Sequence, residues 1–205
     1  MAAMAHPNIV TVYDAGETDA HFFLVMEFVQ GRTLRDILKD RVKLPEAEAA
    51  AILMNLCSAL GYAHNRNVVH RDVKPGNVIM AEGGEAKLMD FGLARVFEST
   101  SHVQTSIIGT PFYMSPEQIR GLPVDRRSDI YSLGAAMYEI VTGDPPFTGG
   151  DMAYKHAHEK PVEPASRVPS ISSVMNGIIL KCLGKKPEER FADTTEILKL
   201  LKNNH

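Results

Sequence analysis

The sequence has few cysteines, no long apolar run and no excess of positive charge. Its two cysteines, Cys57 and Cys182, lie in apolar helical patterns outside any C-x-x-C motif, which excludes a disulfide framework and a structural zinc site. No stretch reaches about 18 uncharged apolar residues, so we predict no membrane span, and the first residues do not resemble a signal peptide. The formal charge of −3 gives no reason to expect nucleic-acid binding. These absences predict a cytoplasmic protein.

The remaining composition is typical of one globular domain. Hydrophobic residues make up 44% and charged residues 23% of the sequence, with 15 glycines and 12 prolines, which excludes a disordered or collagen-like chain. A length of 205 residues favours one medium-sized domain over two. The sequence contains no internal repeat and no low-complexity segment.

Local patterns predict a small β element followed by helices. β-Branched and aromatic residues at 8–13 and 22–29 predict two antiparallel strands, separated by a turn at 14–19. Apolar spacing predicts helices at 33–38, 46–64, 128–143, 151–158, 172–183 and 194–202. In the helix predicted at 128–143, Ser128 is the expected N-cap and Gly143 the expected C-cap. Residues 65–117 carry few helical signals, and an irregular stretch of that length is usually functional or disordered.

Three motifs within this irregular stretch carry the chemistry. They are H-R-D-V-K-P-G-N at 70–77, D-F-G at 90–92 and S-P-E at 115–117. Their order and spacing are those of protein kinases. The sequence resembles the eukaryotic-like serine/threonine protein kinases over nearly its whole length, and the phrases G-T-P-F-Y-M-S-P-E-Q and S-D-I-Y-S-L-G are most similar to bacterial members.

The resemblance implies an α+β, protein-kinase-like fold. We expect one kinase domain over 1–205, in which 1–29 form a two-stranded remnant of the N-terminal lobe with the hinge, and 30–205 form the helical C-terminal lobe with the catalytic loop and activation segment. The G-x-G-x-x-G loop, the lysine of V-A-I-K and its glutamate partner have no counterpart in this sequence. We therefore expect an N-terminally truncated domain with weak or no activity on its own, since losing one such electrostatic contact costs on the order of 10² to 10³ in rate.

The resemblance also assigns the phosphoryl-transfer residues. Phosphoryl transfer requires the γ-phosphate of ATP, the acceptor hydroxyl and Mg²⁺ to be held in line. Asp72 is the expected catalytic base, and Lys74 is expected near the transferring phosphate. Asn77 and Asp90 are the expected ligands of Mg²⁺, with Mn²⁺ as an alternative metal.

The expected nucleotide-base site lies at the end of the second strand. Met26 resembles the gatekeeper of the hinge, and the main-chain groups of Glu27 and Val29 would contact adenine. Ile79 would pack under the adenine ring, although an ordinary core isoleucine explains that residue equally well.

The resemblance further implies regulation and protein substrates. Thr110 resembles the threonine that positions a serine or threonine acceptor, and Arg71 resembles the arginine that pairs with a phosphorylated activation segment. Thr105 and Ser106 are the candidate phosphosites, with ordinary solvated hydroxyls as the alternative. The implied partners are protein substrates and a second copy of the chain, through autophosphorylation or through self-association of an exposed strand edge.

Five further matches are expected to be structural. Glu117 would form a buried ion pair with Arg190, and Asp129 would accept backbone N–H groups of the catalytic loop. His70 and Phe91 would stack in an apolar spine, so His70 is not assigned as a catalytic base.

Two other functions stay open at this point. The chain could be a non-catalytic, pseudokinase-like scaffold or binding module that uses the helical lobe to hold protein partners. A metabolic small-molecule kinase of related fold is the other alternative. It is disfavoured by the complete segment from G-T-P to S-P-E, which serves polypeptide acceptors in the family.

Overall fold

The first sheet is a two-stranded antiparallel hairpin. The computed structural model describes residues 4–18, 21–91 and 111–203. Strand β1, Val12–Glu17, pairs with strand β2, Phe22–Met26, as the sequence predicts. The predicted bounds of β1 are wrong, because residues 14–17 are strand rather than turn.

The reason for this difference lies in the residues before β1. Val10 N–H donates to the carbonyl of Leu88 at 2.9 Å, and Leu88 N–H donates to the carbonyl of Asn8 at 2.9 Å. The segment just before β1 therefore pairs with a different strand. Pairing of β1 with β2 begins at Val12, which lies opposite Met26, and the register shifts between Val12 and Asp14.

The second sheet has three short antiparallel strands, in the order β3, β4, β5. These are β3, Gly31–Thr33, β4, Val78–Ala81, and β5, Ala86–Leu88. Strand β3 is too short to give a sequence pattern and was not predicted. The sheet brings the residues after the catalytic-loop motif beside the residues before the D-F-G motif, since Ile79 is the register partner of Lys87.

Eight α-helices lie in the described part of the chain. They are α1 Leu34–Arg41, α2 Glu46–His64, α3 Pro116–Ile119, α4 Arg126–Thr142, α5 Met152–His158, α6 Pro164–Arg167, α7 Ser173–Cys182 and α8 Thr194–Lys202. The six predicted helices are confirmed, four of them with shifted ends. The two four-residue helices α3 and α6 were not predicted, because one turn carries no periodicity. No helix in these ranges is long and apolar enough to cross a membrane.

The caps of α4 confirm one prediction and correct another. Gly143 ends the helix in the left-handed region at φ 95°, as predicted. The N-cap is Asp125, whose carboxylate accepts the N–H of Arg127, and not Ser128. Ser128 lies inside the helix and is buried, and its hydroxyl donates to the carboxylate of Glu117.

Helix α4 lies at the centre of the hydrophobic core and is buried on nearly every side. Helix α2 packs against it, and the predicted apolar stripe of α2 is buried in the same core: Ala49, Ile52, Leu53, Leu56 and Leu60. Burial of α4 includes Asp129 and Ser132, whose polar groups need partners inside the protein. Those partners connect the core to the candidate site.

Candidate active site

The catalytic-loop motif is held in place by one buried carboxylate. Asp129 Oδ2 accepts the N–H of His70 at 2.8 Å, and Oδ1 accepts the N–H of Arg71 at 2.8 Å. Oδ2 also lies 2.8 Å from Nε2 of His64, at the end of α2. Asp129 thus accepts two main-chain N–H groups of an irregular segment, in which no helix or sheet supplies an acceptor for them.

Three side chains of the loop converge at its exposed end. Asn77 Nδ2 donates to the carbonyl of Asp72 at 2.8 Å and to its Oδ2 at 2.9 Å. Lys74 Nζ lies 2.5 Å from the same Oδ2. Val73 is fully buried between them and anchors the loop, while the carboxylate of Asp72 faces solvent. The arrangement orients one accessible carboxylate beside one ammonium group.

The His70 ring has a structural role. Its Nδ1 accepts the N–H of Asp72 at 3.2 Å, so Nε2 carries the proton and donates to the carbonyl of Met89 at 2.8 Å. The ring also meets the ring of Phe91 edge-on, with centroids 4.5 Å apart. With both nitrogens engaged, the imidazole has no free position for acid–base chemistry.

Asp90 follows β5 on the other side of the loop. Met89 N–H donates to the carbonyl of Asn77 at 2.9 Å, which places Asp90 next to the end of the catalytic loop. Asp90 has φ 66°, a left-handed conformation that is uncommon outside glycine. Burial raises the pKa of Asp90, and the nearby charge of Asp72 adds to the rise, whereas His70 and Lys74 oppose it.

The residues at this position fit a magnesium ion. Both donor contacts of the Asn77 amide nitrogen go to Asp72, which leaves the amide oxygen as the group available to a cation. The carboxylate of Asp90 is half-buried, and a cation would offset the cost of that burial. In ranges 4–18, 21–91 and 111–203 no three His, Cys, Asp or Glu side chains form a metal-binding group. Mg²⁺ commonly takes one or two protein ligands and completes its shell with phosphate oxygens and water.

The expected hinge follows β2 and leads into β3. Met26 is the last residue of β2 and pairs with Val12. Glu27 N–H donates to the carbonyl of Thr11, so the hairpin pairing continues one residue past the strand. Ile79 is half-buried on β4. Phe28, which sequence reasoning did not single out, is the most exposed of the large apolar side chains described, at 91%.

A groove of about 410 Å³ opens beside the catalytic loop. Residues on its walls include Asp72, Lys74 and Arg71, together with Arg35 from α1 and Tyr113 from the segment before α3. Sequence reasoning gave no role to Arg35, which belongs to no motif, or to Tyr113, which lies within the phrase G-T-P-F-Y-M-S-P-E-Q. Tyr113 donates its hydroxyl hydrogen bond to Glu139 on α4, and burial raises its pKa strongly.

The S-P-E motif joins the groove to the core. Ser115 caps α3 in a capping box with Gln118, and Gln118 Nε2 donates to the carbonyl of Arg71 at 2.7 Å. Glu117 forms the predicted ion pair, with its Oε1 at 2.7 Å and its Oε2 at 2.8 Å from the Arg190 guanidinium. Burial works against the charged carboxyl of Glu117, but hydrogen bonds from Arg190 and Ser128 hold its pKa below the usual range.

Four of the predicted site residues lie close together, and three others cannot be placed. Thr105, Ser106 and Thr110 lie outside the described residues, as does the glycine of the D-F-G motif. Contacts in the described part of the chain join Asp72, Lys74 and Asn77 directly, and the backbone of Met89 joins this group to Asp90.

Comparisons with known proteins identify the family of the chain. A family model described as protein kinase domain matches residues 1–201. The serine/threonine-protein kinase PknB of Mycobacterium leprae is 45% identical over 205 residues, which cover 96% of this chain and 33% of that protein. PknB of Mycolicibacterium smegmatis is 42% identical with the same coverage. The probable serine/threonine-protein kinase PknB of Bifidobacterium longum is 40% identical, over 96% of this chain and 31% of its own length.

The chain therefore spans about a third of the length of these curated relatives. Its match to the family model, by contrast, extends over nearly all of its own residues. The chain belongs to the protein kinase family.

Proposed function

We propose that this chain carries the catalytic lobe of an enzyme that transfers the γ-phosphate of ATP to serine or threonine hydroxyls of proteins. The observation that carries the proposal is the contact of Asn77 and Lys74 with the exposed carboxylate of Asp72. We divide the chain into two parts. Residues 30–205 form the catalytic lobe, and residues 1–29 form the hinge and the remnant of the N-terminal lobe.

Each loop residue has a distinct role in the transfer. Asp72 orients the acceptor hydroxyl and takes its proton while the acceptor oxygen bonds to the γ-phosphorus and the bond to the ADP oxygen breaks. Lys74 offsets negative charge on the transferring group, and Asn77 keeps Asp72 in its rotamer. Bound Mg²⁺ supplies charge neutralisation at the phosphates, and Asp90 and the amide oxygen of Asn77 would hold it.

Regulation would act through the segment between the D-F-G and S-P-E motifs. Arg71 lines the groove, and the family resemblance implies that its guanidinium pairs with a phosphate on Thr105 or Ser106. Thr110 would position the acceptor. These assignments rest on the family resemblance and on the placement of Arg71.

The exposed apolar side chains of the first sheet support the proposal of self-association. Tyr13, Phe23, Val25 and Phe28 are all exposed on or next to this hairpin. Two-stranded hairpins gain stability by pairing or packing with further chain. Sedimentation velocity of the purified chain should show dimers or larger species, and substitution of Phe23 and Val25 by Thr should shift the distribution towards monomer. If the chain without substitutions sediments as a single monomeric species at all concentrations, the proposal is contradicted.

Nucleotide binding and phosphoryl transfer test the function separately. Calorimetry should show binding of Mg-ATP to the chain that Asp90→Ala abolishes, and a radiolabel assay on a generic protein substrate should detect transfer at the low rate expected of a chain without the lysine of V-A-I-K. Asp72→Asn should lower transfer by about 10² to 10⁴ while Mg-ATP affinity changes less than about twofold. Asp40→Asn, which removes only a surface partner of Arg32, is the matched control and should alter neither binding nor transfer.

Absence of Mg-ATP binding at millimolar concentration would contradict the proposed function. Binding without transfer would favour a non-catalytic module.

A further inference from the structure

The side chain of Glu27 takes the place of its own main-chain carbonyl in the β1–β2 ladder. The last register pair of the hairpin joins Val12 to Met26, and one residue beyond it Thr11 faces Glu27. In a regular antiparallel pair of this kind, each residue donates its N–H to the carbonyl of the other. Glu27 N–H does donate to the Thr11 carbonyl at 2.8 Å. In the reverse direction, however, Thr11 N–H donates to Oε2 of the Glu27 carboxylate at 3.1 Å.

This exchange of acceptors leaves the main-chain carbonyl of Glu27 outside the ladder. Within the described ranges, that carbonyl accepts no hydrogen bond, and Val29 N–H donates none. An acceptor and a donor two residues apart are thus both available on the segment between the two sheets. This pair of groups matches the hydrogen-bonding edge of an adenine base, which offers an amino donor next to a ring-nitrogen acceptor.

A second contact fixes the Glu27 carboxylate from the other sheet. Lys87 Nζ forms an ion pair with Oε1, and both side chains are largely shielded from solvent. The hydrogen bond from Lys87 is the main reason why the pKa of Glu27 lies below its usual range. Lys87 belongs to β5, which leads directly to Met89 and Asp90. The carboxylate therefore bridges the hairpin and the strand that precedes the expected metal ligand.

We infer that Glu27 is a positioning residue for the nucleotide base: its carboxylate, held by Lys87, satisfies Thr11 N–H and so keeps the Glu27 carbonyl free for the 6-amino group of adenine. This inference rests on the proposed nucleotide site. It adds that the side chain of Glu27, and not only its main chain, sets the preference for a 6-aminopurine.

A base-specific binding assay separates this role from a general structural one. The two ligands are Mg-ATP and the magnesium complex of purine riboside 5′-triphosphate, which lacks the 6-amino group. Glu27→Ala removes the substitute acceptor, so Thr11 N–H turns to the Glu27 carbonyl. We expect affinity for Mg-ATP to fall about tenfold and affinity for the analogue to change less than about twofold, the size of one hydrogen bond.

Three further variants make the assay specific. Glu27→Gln keeps an acceptor for Thr11 and should retain the ratio of the two affinities. Lys87→Met leaves the carboxylate less firmly held and should reduce the ratio about threefold. Glu82→Ala removes a neighbouring carboxylate that only accepts a bond from Gln30 at 3.0 Å, and it should leave both affinities unchanged. If Glu27→Ala weakens both ligands equally, or neither, the inference is overturned.

The acceptor exchange can also be observed without nucleotide. In an NMR titration, the Thr11 amide resonance should move as the Glu27 carboxylate gains a proton in acid, and it should stay still in Glu27→Gln. A Thr11 amide that does not respond in the unmodified chain overturns the inference. A responsive amide in a chain that binds neither ligand contradicts the proposed function alone.

Discussion

Arg190 directs all five of its N–H groups to acceptors inside the protein. Two of them form a bidentate pair with Glu117 across 73 positions of sequence, at 2.7 and 2.8 Å. The others reach the carbonyls of Gly184, Lys185 and Arg127. A guanidinium is the one side chain with enough donors, in a planar array, to satisfy this set.

Substitution of Arg190 should therefore be strongly destabilising. Arg190→Met leaves the Glu117 carboxylate buried without a counter-charge and should lower the free energy of unfolding by about 3 to 5 kcal/mol. Arg190→Lys should also destabilise, because three donors cannot replace five. Urea denaturation measures both. Arg127→Lys, which alters an exposed pair with Asp125, is the control and should cost less than about 1 kcal/mol. If the Arg190 variants and Arg127→Lys lose the same free energy of unfolding, the prediction is contradicted.

Asp129 should couple stability to catalysis. Asp129→Asn places an amide NH₂ where a carboxylate oxygen now accepts main-chain N–H, so one donor of the catalytic loop loses its partner. We expect a loss of about 1 to 3 kcal/mol in unfolding free energy and a fall in kcat of the catalytically active protein. Asp125→Asn, at the exposed N-cap of the same helix, should keep kcat unchanged because asparagine is an equally good cap. A normal kcat in Asp129→Asn would be evidence against the anchoring role.

His156 should make folding stability depend on acidity. Its ring is buried against Phe147, with Nδ1 2.9 Å from the Tyr131 hydroxyl and the Lys185 ammonium 2.8 Å from its carbonyl. Burial, with the charge of Lys185, lowers the pKa of His156 from 6.5 to about 4. Between these two values the unfolded chain binds a proton that the folded chain does not. The contribution to stability is thus complete above about pH 6.5 and is lost as the pH falls towards 4.

The expected size of this effect is about 2 kcal/mol between pH 7.5 and pH 5. Urea midpoints at the two pH values measure it, and His156→Gln should reduce the difference by that amount. His158→Gln, at an exposed position of the same helix, should keep it. If the His156 variant retains the full pH dependence, the buried neutral imidazole is not its source.

Two glycines in helices should respond to alanine in opposite directions. A Cβ at Gly134 in α4 would lie 2.4 Å from the Cβ of Cys182 in α7, so Gly134→Ala forces the two helices apart and should cost about 1 to 3 kcal/mol. A Cβ at Gly177 in α7 would meet nothing within 4 Å. Gly177→Ala should therefore stabilise by up to about 1 kcal/mol through helix propensity. Thermal denaturation compares them, and a stabilising Gly134→Ala would show that the helix contact can relax.

The sequence predicted the long helices and the motif residues because both are local signals. Helix α2 has the predicted bounds, since its apolar spacing and the preceding Pro45 act over neighbouring residues. The contacts of Asp72 with Lys74 and Asn77 likewise join residues within one loop. The pair of Glu117 and Arg190 was accessible only through the family resemblance, because no local pattern connects residues so far apart.

Contacts that cross between elements were beyond local reasoning. Residues 14–17 have the composition of a turn, but pairing with β2 overrides that preference. Ser128 has the right chemistry for a cap, yet Asp125 takes the position and Ser128 binds Glu117 instead. The acceptor exchange between Thr11 and Glu27 depends on the register of a hairpin, which sequence alone did not specify.

The anchoring of the catalytic loop by Asp129 has a consequence for synthesis of the chain. His70 and Arg71 precede their acceptor by 59 and 58 positions, so the loop leaves the ribosome well before α4 exists. Its main-chain donors stay hydrated until that helix has been made and packed against α2. The catalytic loop therefore becomes ordered late in folding. A nascent chain that stops before Asp129 contains the whole H-R-D motif but lacks the carboxylate that accepts its main-chain N–H groups.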